Sequence, residues 1–145
     1  MTIVGFNFTK INAEKKTASG GKINISSNVT IKTIEESKLN FGNKNQLPLV
    51  FNFEFLCKYE PDVGQILLEG EVISLQEEKD AKEVVKLWKK DKKKVSQEIM
   101  QPVFNTILAR SNIEAVIISR DMNLPSPIPL PKVEAKQPKA EDYIG

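Results

Sequence analysis

Few residues in this chain of 145 can do acid–base, nucleophilic or metal chemistry. There is no histidine, and Cys57 is the single cysteine. Histidine is the usual general base near neutral pH and the commonest metal ligand. Its absence excludes Ser-His-Asp and Cys-His triads, and one thiol cannot build a thiolate zinc cluster. We therefore predict no catalytic residue, no metal site and no cofactor.

The groups left for catalysis are carboxylates, lysines and tyrosines, which need special environments to work near neutral pH. Two carboxylate pairs stand out, Glu69 with Glu71 and Glu77 with Glu78. The sequence offers them neither a cleft nor a partner base, so we interpret them as surface charges. An enzyme that uses carboxylates is the third hypothesis for this chain, behind two binding functions.

A lysine cluster is the strongest local charge feature in a chain whose net charge is only +2. Such a run can neutralise phosphates on RNA or on a ribosomal surface. The alternative is a solvated helix end, where lysines also interact favourably with the helix dipole and where nearby acids such as Glu78 and Glu83 offset their field. The cluster consists of Lys86, Lys89, Lys90, Lys92, Lys93 and Lys94.

An aromatic stripe is the second candidate for contact with a partner. The residues from 49 to 59 alternate as a strand and place every second side chain on one apolar face. That face could bind a partner or a second copy of the chain, or it is a sheet face covered by helices. Cys57 lies within it and is interpreted as a small core residue. The candidate contacts are Phe51, Phe53, Phe55 and Tyr59.

Strand patterns fill the first half of the chain. The range 3–11 places Val4, Phe6 and Phe8 on one face, and 22–33 alternates cleanly, as a half-buried strand does. The runs 49–59 and 65–75 are joined by a reverse-turn composition at 60–64 and read as an antiparallel hairpin. We expect an antiparallel sheet of four or more strands.

Helical patterns fill the second half. Apolar spacing predicts a short helix around 81–88, for which Asp80 is the candidate cap. A second helix begins near Ser96, contains Pro102 and extends to Met122. A break near Ser111-Asn112 is the alternative, because the residues that follow are β-branched; we favour one long helix. The predicted fold class is α+β, with one short and one long helix covering one face of the sheet.

The C-terminal part alternates proline with other residues from 124 to 131 and must be extended. We predict a single α+β domain over 1–133, including a Pro-rich strap at 123–133 over the domain surface, and a polar, mobile tail at 134–145. No apolar segment is long enough to cross a membrane, and the first residues do not resemble a signal peptide. With its lone cysteine, the chain is expected in the cytoplasm.

The order of these elements resembles the SecB family of export chaperones over roughly residues 22–133. The long helix carries Pro102 and Arg110, and the segment Met122-Asn123-Leu124-Pro125-Ser126-Pro127-Ile128-Pro129-Leu130-Pro131 follows it. In that family an antiparallel sheet precedes a long helix with a proline and an arginine, and a proline-containing segment comes next.

The resemblance implies a SecB-like fold that associates through sheet and helix surfaces and binds unfolded polypeptide without ATP. The leading hypothesis is a non-catalytic protein that holds apolar segments of unfolded or nascent polypeptides, with self-association as a further protein contact. The alternative is a small RNA- or ribosome-associated protein that contacts phosphate through the lysine cluster. The family transfers no site residue to this chain.

Overall fold

A computed structural model describes residues 1–16, 21–38 and 45–129. Its sheet contains β1 (Thr2–Lys15), β2 (Asn24–Glu36), β3 (Gln46–Glu60) and β4 (Gly64–Glu77). Helix α1 (Glu78–Lys90), a 3-10 turn (Lys92–Lys94) and helix α2 (Gln97–Asp121) follow. All strand pairs are antiparallel, in the order β1-β4-β3-β2. The predicted α+β fold, with a short and a long helix on one sheet face, is confirmed.

The inward face of the sheet is built by the two central strands. Phe51 of β3 lies opposite Val72 of β4, and Phe55 lies opposite Leu68. Successive side chains of a strand point to opposite faces, so one apolar set from each strand meets the helices. The inward side chains of β3 are at most 1% exposed: Leu49, Phe51, Phe53, Phe55, Cys57 and Tyr59.

Strand β1 differs from the sequence prediction at Val4. The register shifts between Ile3 and Gly5, as it does at a β-bulge, where an extra residue breaks the alternation. Val4 is therefore 44% exposed, whereas Phe6 and Phe8 lie opposite Val72 and Gly70 and point inward. The expectation that Val4 shares a face with the two phenylalanines was wrong.

Gly70 lets an aromatic ring lie flat on the sheet. A Cβ atom at this position would lie 2.8 Å from the Phe53 ring and 2.3 Å from the Asn7 carbonyl oxygen. The Phe53 ring stacks on Phe6, with centroids 5.4 Å apart, and meets the edge of Phe8 at 6.3 Å. Only glycine leaves room for this close approach.

Helix α1 packs one apolar face on the sheet through Ala81, Val84 and Val85. It begins at Glu78, and its N-cap residue is Glu77, which makes no side-chain capping bond. The prediction that Asp80 caps this helix was wrong, because the chain becomes helical directly after β4 and the N-cap lies three residues earlier, at Glu77. Asp80 lies instead in the first turn, where a carboxylate interacts favourably with the helix dipole.

Helix α2 is continuous from Gln97 to Asp121, with Ser96 as its N-cap and Pro102 inside it. The preference for one long helix is confirmed, since 111–118 is helical throughout. The β-branched residues after Asn112 accept this conformation because Ser111, Ala115 and Ile118 are buried against the sheet. Tertiary packing outweighs their weak intrinsic preference.

The strap is docked along the part that the structure describes. After Asn123, which adopts a left-handed φ of 54°, Leu124 is buried in the core beside Tyr59. The Tyr59 hydroxyl donates a hydrogen bond of 2.8 Å to the carbonyl oxygen of Pro125. The rest of the strap and the predicted tail at 134–145 lie outside the described residues.

Candidate interaction surfaces

The aromatic stripe lies beneath the two helices, with Phe51 and Phe53 in one core cluster with Val84 of α1. Its members Phe51, Phe53, Phe55 and Tyr59 are at most 1% exposed, and they share their core clusters with α2 side chains such as Ile107. The covered sheet face proposed as the alternative is the arrangement observed, so a partner cannot reach these residues in this structure. The physical reason is that β3 is a central strand whose inward face is apolar throughout and requires cover.

Cys57 and Tyr59 show what burial does to the two titratable groups of this stripe. Burial raises the pKa of the Cys57 thiol above its ordinary value, and burial is also the main cause that raises the pKa of the Tyr59 hydroxyl. The thiolate is the nucleophilic form of cysteine. Cys57 is therefore held as a protonated, unreactive core residue at neutral pH.

The lysine cluster occupies one corner of the molecule, at the end of α1 and in the 3-10 turn. All six side chains are exposed, and within the described ranges none forms an ion pair. The Lys92 ammonium lies 5.3 Å from the centroid of the Trp88 ring, within the range of a cation–π contact. The Asp91 carboxylate accepts a 3.0 Å hydrogen bond from the Lys93 amide, which fixes the turn between the two groups of lysines.

Helix α2 exposes a second apolar face that the sequence analysis did not single out. Ile113 is 62% exposed and Ile117 is 38% exposed. They lie one turn apart and therefore share a face of the helix, roughly opposite the residues that pack on the sheet. We call this face the outward stripe of α2; it consists of Ala109, Ile113, Val116 and Ile117.

The signal for the outward stripe was present in the sequence. Ala109, Ile113 and Val116 have the spacings of four and three that mark a helix face, alongside the buried set that contains Ile107 and Ala115. A helix that is apolar on two faces requires cover on both. The spacing of Ile107, Ala115 and Ile118 predicts one apolar face for the helix, and Ile117 belongs to the β-branched residues that indicate a break.

Strand β1 forms the edge of the sheet and is incompletely covered. Helix α2 lies mainly over β3 and β4, so Phe6 and Phe8 are only half-buried and Ile11 is 52% exposed. The Arg110 guanidinium of α2 lies 5.7 Å from the centroid of the Phe6 ring and covers part of this edge. Strand β1 therefore presents further exposed apolar surface beside α2.

The opposite face of the sheet mixes apolar pairs, such as Leu56 beside Leu67, with polar ones, and it holds the first carboxylate pair. The Lys32 ammonium pairs with Glu54 at 3.2 Å and with Glu69, and its hydrogen bond lowers the pKa of the Glu69 carboxyl. The Glu71 carboxylate accepts a 3.2 Å hydrogen bond from the Asn7 side chain. These contacts tie neighbouring strands together and leave Glu69 in its charged form.

Residues 1–16, 21–38 and 45–129 contain no group of three histidine, cysteine, aspartate or glutamate residues arranged to hold a metal ion. They also contain no helix that is both long and apolar enough to span a membrane.

Comparisons with known proteins find similarity of fold among solved structures. No protein-family model matches the chain, and no curated protein matches it in sequence. Among solved structures, it is similar to the Mycobacterium tuberculosis Rv1957 SecB-like chaperone, solved in complex with a ChAD peptide from the Rv1956 HigA1 antitoxin. The similarity has a TM-score of 0.47 and 8% sequence identity, and covers 92% of this chain and 89% of the other.

Proposed function

We propose that this protein is a non-catalytic binding protein that holds apolar segments of other polypeptides on the outward stripe of α2. The observation that carries the proposal is the exposure of Ile113 and Ile117 together, one turn apart, on a helix whose other face is fully packed. Single exposed apolar residues are ordinary, whereas a contiguous apolar patch marks an interaction surface.

The chemistry of such a surface suits an unfolded partner. Unfolded polypeptides expose apolar side chains, and covering them is favourable by roughly 25 cal/mol for each Å² of apolar surface removed from water. This interaction needs neither a nucleotide nor a precise side-chain geometry. The core residues beneath α2 hold the stripe in place, and the sequence resemblance to the SecB chaperones supports the same role.

A second copy of this chain is the other protein that would fit the outward stripe, since it offers a matching apolar surface. The two partners predict different behaviour. Self-association alone gives a concentration-dependent particle mass and no effect on other proteins. A holding function gives complexes with unfolded polypeptide.

We include a cytoplasmic location in the proposal, because the only thiol in the sequence is that of Cys57.

Suppression of aggregation by the purified protein tests the proposal. At an equimolar ratio, the wild-type chain should slow light scattering by a chemically unfolded test protein. Ile113→Asp should lose most of this effect, because a charge in the stripe opposes its desolvation. Gln101→Glu, which adds the same charge at an exposed position near the start of α2 and away from the outward stripe, is the matched control and should behave as wild type. Equal activity of both variants would contradict the proposal.

RNA binding through the lysine cluster is the second candidate function, and the absence of ion pairs at this corner within the described ranges favours it. If the lysines contact phosphate, affinity for RNA should fall steeply as salt is added. Charge reversal to glutamate at Lys90, Lys93 and Lys94 should abolish it. Reversal at three exposed lysines elsewhere, Lys10, Lys22 and Lys58, is the control. Unchanged binding by the first triple variant would eliminate this candidate.

A further inference from the structure

A cavity of about 310 Å³ lies between the start of α1, the start of α2 and the adjoining ends of β3 and β4. Its volume is at the lower end of those that bind small ligands or single side chains. Val84 and Leu49 in its wall are buried core residues. Leu87 and Ile99 line it from the two helices, and Met1 of this chain completes the apolar lining. The interior is therefore suited to one apolar side chain.

Four exposed polar residues line the cavity where it opens to solvent. Two of them, Asp80 and Glu83 of α1, are three residues apart and so share a helix face. Neither carboxylate forms an ion pair with any residue that the structure describes. Lys94 and Ser96 also line the mouth, and the Ser96 side chain makes no capping bond to α2. The cavity therefore offers a ligand both carboxylates and hydrogen-bond donors.

We propose that this cavity binds the free amino terminus of a polypeptide whose first residue is apolar. The first side chain fills the apolar interior, and the α-ammonium group lies against Asp80 and Glu83. The first peptide carbonyl accepts a hydrogen bond from Lys94 or Ser96. Capture of a terminal amine in this way is a known mode of peptide recognition.

Charge complementarity selects this occupant over other apolar ligands. Asp80 and Glu83 outnumber Lys94 in the lining, so the net charge of the cavity is negative and favours an ammonium group over a carboxylate. A neutral internal segment gains no such attraction. The inference extends the proposed function, since its ligand is also a polypeptide, but it concerns a different surface from the outward stripe of α2.

The test is a titration of the full-length, ¹⁵N-labelled protein followed by NMR. Three probes are compared: leucyl-glycyl-glycinamide, its N-acetylated form, and triglycinamide. The free-amine leucyl peptide should shift the signals of Val84, Leu87 and Ile99 saturably. Acetylation should weaken binding about threefold to tenfold, the scale of exposed charge pairs. Triglycinamide should bind still more weakly, because it cannot fill the apolar interior.

Variants separate the two proposals. Glu83→Gln should reduce the preference for the free amine, whereas Glu98→Gln, outside the cavity lining, should retain it. Ile113→Asp should bind the leucyl peptide as wild type does even if it no longer suppresses aggregation. Equal binding of the acetylated peptide, or no saturable shift at the cavity residues, would overturn the inference and leave the function proposed for α2 intact.

Discussion

The hydroxyl of Tyr59 donates a 2.8 Å hydrogen bond to the carbonyl oxygen of Pro125, which joins the end of β3 to the strap that follows α2. The Lys15 ammonium donates to the Asn123 carbonyl oxygen at 3.2 Å, and Leu124 between them is buried. Two polar contacts and one apolar anchor therefore hold the chain as it leaves the long helix.

Tyr59→Phe removes the hydroxyl and keeps the ring. Because the bond to Pro125 is lost while the packing of the ring remains, the free energy of unfolding should fall by about 1 kcal/mol. Urea denaturation measures the change. Hydrogen exchange should also quicken at Ser126 and Ile128, beyond the lost bond. Unaltered stability and exchange would show that this bond does not hold the strap.

The same residue predicts a pH dependence. Burial raises the pKa of Tyr59 in the folded protein, so between its unfolded value of about 10 and its folded value the native state binds more protons than the unfolded state. Its contribution is fully present below about pH 10 and is lost as the pH rises further. Stability measured from pH 8 to 11 should therefore fall less steeply for Tyr59→Phe than for wild type. Parallel curves would contradict the assignment.

Gly70→Ala tests the close approach of Phe53 to the sheet. The new methyl group would overlap both the ring and the Asn7 carbonyl, and overpacking of this kind costs about 1–3 kcal/mol. Gly21→Ala is the control, because a Cβ atom there meets nothing within 4 Å. In thermal and urea unfolding, Gly70→Ala should be clearly less stable than Gly21→Ala. Equal stability of the two variants would show that the sheet adapts to the methyl group at low cost.

Ser111→Ala is expected to stabilise the protein. The Ser111 hydroxyl is buried against the sheet and has no hydrogen-bond partner within the described residues. Its desolvation is uncompensated, so its removal should raise the free energy of unfolding by about 1 kcal/mol. Ser119 is the matched control, since its hydroxyl donates a 2.7 Å bond to the Val116 carbonyl. Ser119→Ala should bring no gain, and a loss of stability in Ser111→Ala would contradict this account.

The sequence was sufficient for the sheet and for the apolar face of α1 because the patterns involved are local. Alternation along β2 and β3 and the spacing of Ala81, Val84 and Val85 report directly which side chains meet the core. The Val4 error has a different origin, since a bulge depends on the register with β4. Gly5, at the bulge, is a residue type that often marks one in a strand, but the alternation of Val4, Phe6 and Phe8 outweighed it.

The candidate surfaces were harder to predict than the fold. The sequence pattern of an apolar stripe on a strand is the same whether helices or partners cover the stripe. Phe51 and Phe53 are therefore candidate contacts in the sequence, and only the position of the helices in the fold excludes them. The outward stripe of α2 was visible in principle, but the β-branched residues near Ile113 suggested a break in the helix. The cavity near Glu83 depends on how two helices and two strands converge, which no local pattern contains.

Site-specific cross-linking tests most directly whether the outward stripe of α2 holds polypeptide. Cys57 is buried, so the new thiol of Ile113→Cys can be labelled selectively with a photoreactive maleimide in the folded protein. Lys82→Cys, an exposed position on α1, is the control. Incubated with an unfolded test protein and illuminated, the probe at 113 should cross-link to that protein and the probe at 82 should not. Equal cross-linking from both positions, or products only between copies of this chain, would contradict the account.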